Sequence, residues 1–199
     1  MNKFYYFLFC YLIGAIPFGY LICKIFKNID IRKFGSGNIG ATNVYRVCGL
    51  KLGLPVLILD ILKGFIPVYI GKILKFSNPL ILIGGILSIL GHSFSIFLKG
   101  KGGKGVSTSF GVVIGLFPLP AFFSFVLWLI VVFLTKYVSL ASISGALLLP
   151  FSVYFFTRDI FLSSIGILIF LFILYTHREN IKRLLNRKEN RIIFPWEKK

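Results

Sequence analysis

The sequence predicts an all-α, polytopic integral membrane protein of about seven transmembrane helices, with its N-terminus outside and its C-terminus in the cytoplasm. Three observations carry this. First, 57% of the 199 residues are hydrophobic and only 15% are charged, against about 45–50% and about 25% in soluble domains. A globule of this size has too little interior to hide so much apolar side chain, so part of its solvent is lipid. Second, the apolar residues fall in continuous runs near the ~20 residues that cross a bilayer. They show no barrel-like alternation, and helices satisfy the backbone of such runs in lipid. Third, 23 Lys+Arg outnumber 6 Asp+Glu and gather between particular runs. Together these exclude a soluble enzyme, a secreted disulfide scaffold and a disordered chain.

The runs are 4–23, 53–71, 79–98, 106–118, 120–135, 139–156 and 160–177. The first is too long for a cleavable signal peptide and no A-x-A-like site follows it. The second carries Asp60 and Lys63, three apart on one helical face. Intramembrane charges pair toward the protein interior, so these two read as a structural ion pair, with a role in orienting loops as the alternative. No second intramembrane acid is present to build a proton relay. The third run ends at Gly91-His92. The fourth is short and is parted from the fifth by Pro118 and Pro120, so one long broken stretch is the alternative there. The sixth is entered through Lys136–Gly145, with hydroxyls at Ser139, Ser142 and Ser144; the patch reads either as N-capping by Ser139 or, functionally, as Ser142 adding a hydrogen bond to a phosphate. The seventh closes at His177. Cys10, Cys23 and Cys48 form no C-x-x-C and read as reduced packing residues.

Charge sets the direction. Six Lys/Arg lie in 24–51, three in 99–104, one at 136 and eight from 178 onward, so eighteen of the 23 share one side if there are seven spans. The positive-inside rule makes that side cytoplasmic. The basic tail 178–199, with Ile181, Leu184 and Leu185 on one side and Trp196 near its end, reads as an interfacial helix held by anionic headgroups. Nucleic-acid binding is not expected, because no RNP-like or helix-turn-helix pattern accompanies it.

The chemistry is concentrated in two cytoplasmic loops. One reads Gly35-Ser36-Gly37-Asn38-Ile39-Gly40-Ala41-Thr42-Asn43 and continues to Arg46. The other begins at Gly91-His92 and continues through Lys99-Gly100-Lys101-Gly102-Gly103-Lys104-Gly105-Val106-Ser107-Thr108. Both contain G-x-G-x-x-G, but a dinucleotide fingerprint needs a preceding strand and a βαβ unit, and each copy here joins membrane spans. No Walker A is present. What survives is the physics of anion binding: glycine backbones, helix N-termini and the charges of Arg46, Lys101 and Lys104. One such loop alone reads as a tight turn with topology lysines. Two of them, interleaved with Ser36, Asn38, Thr42, Asn43, Ser107 and Thr108, read as phosphate-binding. The sole histidines, His92 and His177, both fall at this boundary, where a general base or phosphate ligand would sit; an interfacial histidine satisfied by headgroups or backbone is the alternative. Neither belongs to an H-x-x-x-x-D dyad, since Phe97 and Lys182 occupy the fifth positions.

The first loop, the Gly91-His92 and Lys99–Val106 segment, and the closing His177-Arg178-Glu179-Asn180-Ile181 together resemble the three signatures of the bacterial acyl-phosphate:glycerol-3-phosphate acyltransferases, the small membrane-integral PlsY family. The resemblance spans nearly the whole chain. It implies a single transmembrane acyltransferase domain over 1–199, with 178–199 a basic cytoplasmic tail. It further implies a seven-helix bundle in the bacterial inner membrane with a cytoplasm-facing active site. The implied reaction moves a fatty acyl group from acyl phosphate to the sn-1 hydroxyl of glycerol 3-phosphate, giving lysophosphatidate and phosphate, the first step of phospholipid synthesis. By motif position, Ser36, Lys104, His177 and Asn180 are implied in catalysis. Gly37, Asn38, Thr42, Asn43, Arg46, His92, Lys101, Gly102, Gly103 and Ser142 are implied in substrate binding. No metal or cofactor is expected, the lipid bilayer is the expected surrounding, and the chain is expected to act as a monomer.

The reaction suits these residues. An acyl phosphate is a mixed anhydride whose carbonyl is already activated, so no covalent enzyme intermediate is needed. The protein must hold two phosphates close together, align hydroxyl with carbonyl and receive one proton. His177, His92 or the substrate's own phosphate can take that proton. The Gly100–Gly105 loop is assigned one of the two phosphates and the Arg46 side the other. A transporter for a phosphorylated solute would need polar residues at the midplane of several spans, and apart from Asp60 and Lys63 the spans are apolar. A membrane anchor recruiting an acidic partner through the basic tail is a third reading.

Overall fold

A computed structural model describes residues 2–197. They contain ten α-helices: α1 Lys3–Ala15, α2 Phe18–Lys27, α3 Ala41–Cys48, α4 Leu50–Ile73, α5 Asn78–Ser93, α6 Val106–Leu116, α7 Pro118–Thr135, α8 Val138–Thr157, α9 Ile160–Thr176 and α10 Arg178–Leu185. The chain divides into two compact units, Met1–Leu116 and Phe117–Lys199.

By length and composition, four helices are able to cross a membrane, and up to six spans result if two bent pairs each count as one. The bent pairs are α1 with α2, at 43°, and α9 with α10, at 63°. The apolar runs of the sequence coincide with these elements. The remaining run is α6, an 11-residue helix of about 16 Å at 1.5 Å per residue, which is short for a ~30 Å hydrocarbon core. The chain is a multi-pass membrane protein.

Prolines set the breaks. A residue before proline is pushed out of the helical region. Ile16, before Pro17, has φ −59 and ψ 118, and Phe117, before Pro118, has φ −138 and ψ 73. The first break interrupts the first span; the second makes α6 and α7 separate helices rather than one long stretch.

In the first unit α1 packs on α5, and α4 packs on α3, α5 and α6. Glycines permit these approaches: a Cβ at Gly64 would overlap the Thr108 carbonyl, one at Gly111 the Ile61 carbonyl, and one at Gly14 the Ser88 carbonyl. Tyr6 is fully buried and donates its hydroxyl to the Pro67 carbonyl at 2.9 Å. All three cysteines are free thiols. Cys23 and Cys48 touch at 3.6 Å between sulfurs.

In the second unit α8 packs on α7 and α9, and Ser163 Oγ donates to the Pro150 carbonyl at 2.9 Å. The tail departs from the sequence expectation. Its helix ends at Leu185 and the following chain returns to the α7–α8 turn: Ile192 N donates to the Lys136 carbonyl at 2.8 Å and Lys136 Nζ lies 2.6 Å from Glu197 Oε1. Trp196 stacks on Phe194, centroids 4.7 Å apart. Ser139 is likewise not an N-cap. The residue preceding α8 is Tyr137, and Ser139 Oγ donates to Glu189 Oε1 at 2.9 Å.

Candidate active site

The first glycine loop is built around one buried side chain. Asn43, 2% exposed, accepts the Ser36 amide on Oδ1 at 2.8 Å. Its Nδ2 donates to the carbonyls of Asn38 at 2.8 Å and Phe34 at 3.1 Å. Asn38 Oδ1 accepts the Gly40 amide at 2.8 Å, an Asx turn that delivers the chain into α3. Gly35 is required here, for its φ is +59 and a Cβ would strike Asn43 Oδ1. Upstream, Asp30 caps a 3₁₀ turn at Ile31–Lys33 by accepting from the Arg32 amide and takes two bonds from the Arg32 guanidinium at 2.9 and 2.7 Å. Those side-chain bonds hold the Asp30 carboxyl down to about 2. Ser36 and Asn38 are half-buried and Gly37 is exposed; Thr42 lies in the first turn of α3 and Arg46 in its last, both half-buried.

The second loop is folded onto the end of α5. Gly102 N donates to the Ser93 carbonyl at 3.0 Å, Gly103 N to the His92 carbonyl at 3.1 Å and Gly100 N to the Ser95 carbonyl at 2.8 Å. A Cβ at Gly103 would overlap the His92 ring, and one at Gly102 the His92 carbonyl. These glycine amides, like those of Gly37 and Gly40, are thus bonded within the loops, so the glycines shape the backbone. Gly105, at φ +83, turns the chain into α6, whose first residues, Val106, Ser107 and Thr108, have no intrahelical acceptors for their amides. Such a helix start attracts an anion, and Lys104, half-buried, sits beside it. Lys101 is exposed.

Both loops share one core. Leu98, from the second, packs in the same buried cluster as Ile31, Ile39 and Val44 of the first, with Cys23 and Val56. The two basic glycine loops therefore lie at one end of the first unit. His92, 4% exposed, faces inward: its Nδ1 is 3.8 Å from Asp60 Oδ1, and Asp60 pairs with Lys63 at 2.7 Å. The expected Asp60–Lys63 pair thus exists, and it includes a histidine that sequence separation had hidden.

In the second unit, His177 is buried at the α9–α10 bend, its Nδ1 2.8 Å from the Ile173 carbonyl. A carbonyl only accepts, so Nδ1 carries a proton, and whenever the ring is neutral Nε2 is its acceptor nitrogen. Ser142 Oγ donates to the Val138 carbonyl at 2.8 Å and receives the Trp128 indole at 3.3 Å. Asn180 is buried and donates to Glu189 Oε1 at 2.7 Å. Glu189 also accepts from Arg183 Nε on Oε2 at 2.7 Å. Burial raises the Glu189 pKa, but the bonds from Asn180, Arg183 and Ser139 outweigh it and hold the carboxyl below its ordinary range. Sequence reasoning missed Glu189. Its signal was an acid embedded in a basic tail, too common to stand out before its partner 50 residues away was known.

Comparison with known proteins agrees with this frame. A family model described as glycerol-3-phosphate acyltransferase matches residues 4–187. A glycerol-3-phosphate acyltransferase of Fusobacterium nucleatum is 49% identical over 187 residues, covering 92% of this chain and 95% of the relative. Glycerol-3-phosphate acyltransferase 2 of Bacillus anthracis is 45% identical, covering 92% and 95%. Among solved structures, the glycerol 3-phosphate form of PlsY, an integral membrane glycerol 3-phosphate acyltransferase, superposes with a TM-score of 0.91 at 42% identity, covering 96% of each chain. The lysophosphatidic acid form of PlsY gives 0.88 at 41% identity, covering 96% of this chain and 95% of that one.

Proposed function

The chain belongs to the glycerol-3-phosphate acyltransferase family, and from that premise we propose that it transfers a fatty acyl group from acyl phosphate to the sn-1 hydroxyl of glycerol 3-phosphate, yielding lysophosphatidate and phosphate. The observation that carries this reading is the convergence of two glycine loops on one buried cluster. One leads into α3 and Arg46, the other into α6 beside Lys104. Each offers helix-start amides and a full positive charge, the chemistry that two phosphate-bearing substrates require.

The hydroxyl oxygen attacks the activated carbonyl, a new C–O ester bond forms, and the anhydride C–O bond breaks with phosphate as leaving group. The hydroxyl proton passes to a phosphate oxygen or to His177 Nε2. Ser36, Lys104, His177 and Asn180 act in the reaction. Thr42, Arg46, Lys101 and Ser142 bind substrate, while Gly37, Asn38, Asn43, His92, Gly102 and Gly103 serve binding by shaping the loops. No cofactor is needed for this chemistry, because the donor arrives activated.

The same reading places the protein in the bacterial inner membrane with the glycine loops in the cytoplasm. The N-terminus is then outside, and the seven spans are α1 with α2, α4, α5, α6, α7, α8 and α9, with α10 opening the cytoplasmic tail. Residues 1–199 act as one domain and as a monomer. Incubation of purified protein with labelled glycerol 3-phosphate and acyl phosphate tests this. Lysophosphatidate formed without nucleotide or metal supports it. No product, or phosphorylated-solute flux in proteoliposomes without product, overturns it.

A further inference from the structure

A buried ion pair in an apolar span needs a reason, because well-packed hydrophobic residues are often as stable or more so. Lys63 and Asp60 are 1% and 2% exposed. Besides its pairing with Asp60 at 2.7 Å, the Lys63 ammonium donates to the Ile16 carbonyl at 2.9 Å, at the break between α1 and α2. Three residues on, Gly19 presses so closely on the Ile39 carbonyl that a Cβ would overlap it, and Ile39 belongs to the first glycine loop. On the other side Asp60 Oδ1 faces His92 Nδ1 at 3.8 Å; that nitrogen has no hydrogen-bond partner among the described residues. The His92 carbonyl receives the Gly103 amide at 3.1 Å, and the His92 ring fills the space above Gly103. Ser88 Oγ ties α5 back to the Lys63 carbonyl at 2.7 Å.

One pair therefore reaches both loops, through Ile16, Gly19 and Ile39 in one direction and through His92 and Gly103 in the other. We propose that Asp60 and Lys63 are positioning residues that fix the separation of the two glycine loops, and through it the affinity for both phosphates. This rests on the acyltransferase reading above for its consequence in activity, but not for its structural content. Neither residue touches the reacting atoms.

The test compares wild type with Asp60→Asn, Lys63→Met and the apolar double variant Asp60→Leu/Lys63→Met. Each is assayed for melting temperature, for kcat and KM toward glycerol 3-phosphate and acyl phosphate, and for amide exchange without substrate. Each single variant leaves a polar or charged group buried without its partner and lowers the melting temperature. The double variant recovers the melting temperature, yet its KM for both substrates stays raised by about tenfold or more, and segments 35–43 and 100–105 exchange faster than in wild type. Recovery of KM and exchange along with the melting temperature overturns the proposal, since the pair would then only stabilise. Should the double variant not fold, Lys63→Arg decides: it keeps the charge but replaces a point ammonium by a planar fork. Raised KM and faster loop exchange support the proposal, and wild-type values overturn it. The exchange arm needs no turnover, so a wild-type protein inactive with acyl phosphate would count against the acyltransferase reading while leaving this inference to be judged on exchange.

Discussion

Replacing Asn43 by alanine should disable the enzyme without dismantling the bundle. Asn43 makes three short bonds in the first loop, to the Ser36 amide at 2.8 Å, the Asn38 carbonyl at 2.8 Å and the Phe34 carbonyl at 3.1 Å. At about 1 kcal/mol net for each bond, the ordered loop loses roughly 3 kcal/mol relative to looser arrangements. That is about a hundredfold in the population of the ordered form at 1.4 kcal/mol per factor of ten. Misplacement of a positioning group by about 1 Å costs a similar hundredfold in rate. We therefore expect kcat/KM for glycerol 3-phosphate to fall about a hundredfold, measured as labelled lysophosphatidate formed, with the melting temperature only modestly lowered. Asn43→Asp keeps the acceptor for Ser36 but sets a carboxylate against two carbonyls, and should be at least as damaging. Activity within about threefold of wild type in Asn43→Ala would refute the argument, since a loop so ordered could not lose these bonds at so little cost.

Gly103→Ala should lower activity at least tenfold with a raised KM, because its Cβ meets the His92 ring; steady-state kinetics checks it. Gly35→Ala should behave alike, combining a φ of +59 with a collision against Asn43. Glu189 gives a pH signature. Its folded pKa is depressed, so its contribution is fully present above the ordinary value of 4.5 and fades as pH falls through that value toward the folded one. Melting curves from pH 7 to pH 4 should show a steeper decline for wild type than for Glu189→Gln, which is already weakened at pH 7 by loss of charge-assisted bonds of about 1.5–3 kcal/mol. Glu189→Ala leaves every tail Lys and Arg in place, so loss of activity there points to the bonds with Ser139, Asn180 and Arg183 rather than to basic attraction for lipid.

The helical framework was legible because lipid imposes a length and a composition on each span. The runs 53–71 and 139–156 predict α4 and α8 to within a few residues. The parting at Pro118 follows from what proline does to its neighbour, whereas the one at Pro17, within the run 4–23, was not foreseen, and Pro55, Pro67 and Pro150 lie inside α4 and α8. That the two glycine segments are loops was legible, but their internal bonding was not: the sequence does not reveal that Gly102 and Gly103 amides serve the Ser93 and His92 carbonyls. The roles of Asp60, His92 and Glu189 depend on contacts 32 and 50 residues apart in the chain, beyond the reach of any local pattern. The helix read for the tail is present only as α10, and its continuation, held by Lys136 and Ser139, depends on contacts that no local pattern shows.

The most direct test is a structure of this protein with glycerol 3-phosphate bound. The account predicts the phosphate at the glycine-loop end of the first unit, its oxygens within about 3.2 Å of donors from the start of α3 or α6 and their neighbouring Arg46 or Lys104. A phosphate held elsewhere, with both loops empty and unaltered, would contradict it.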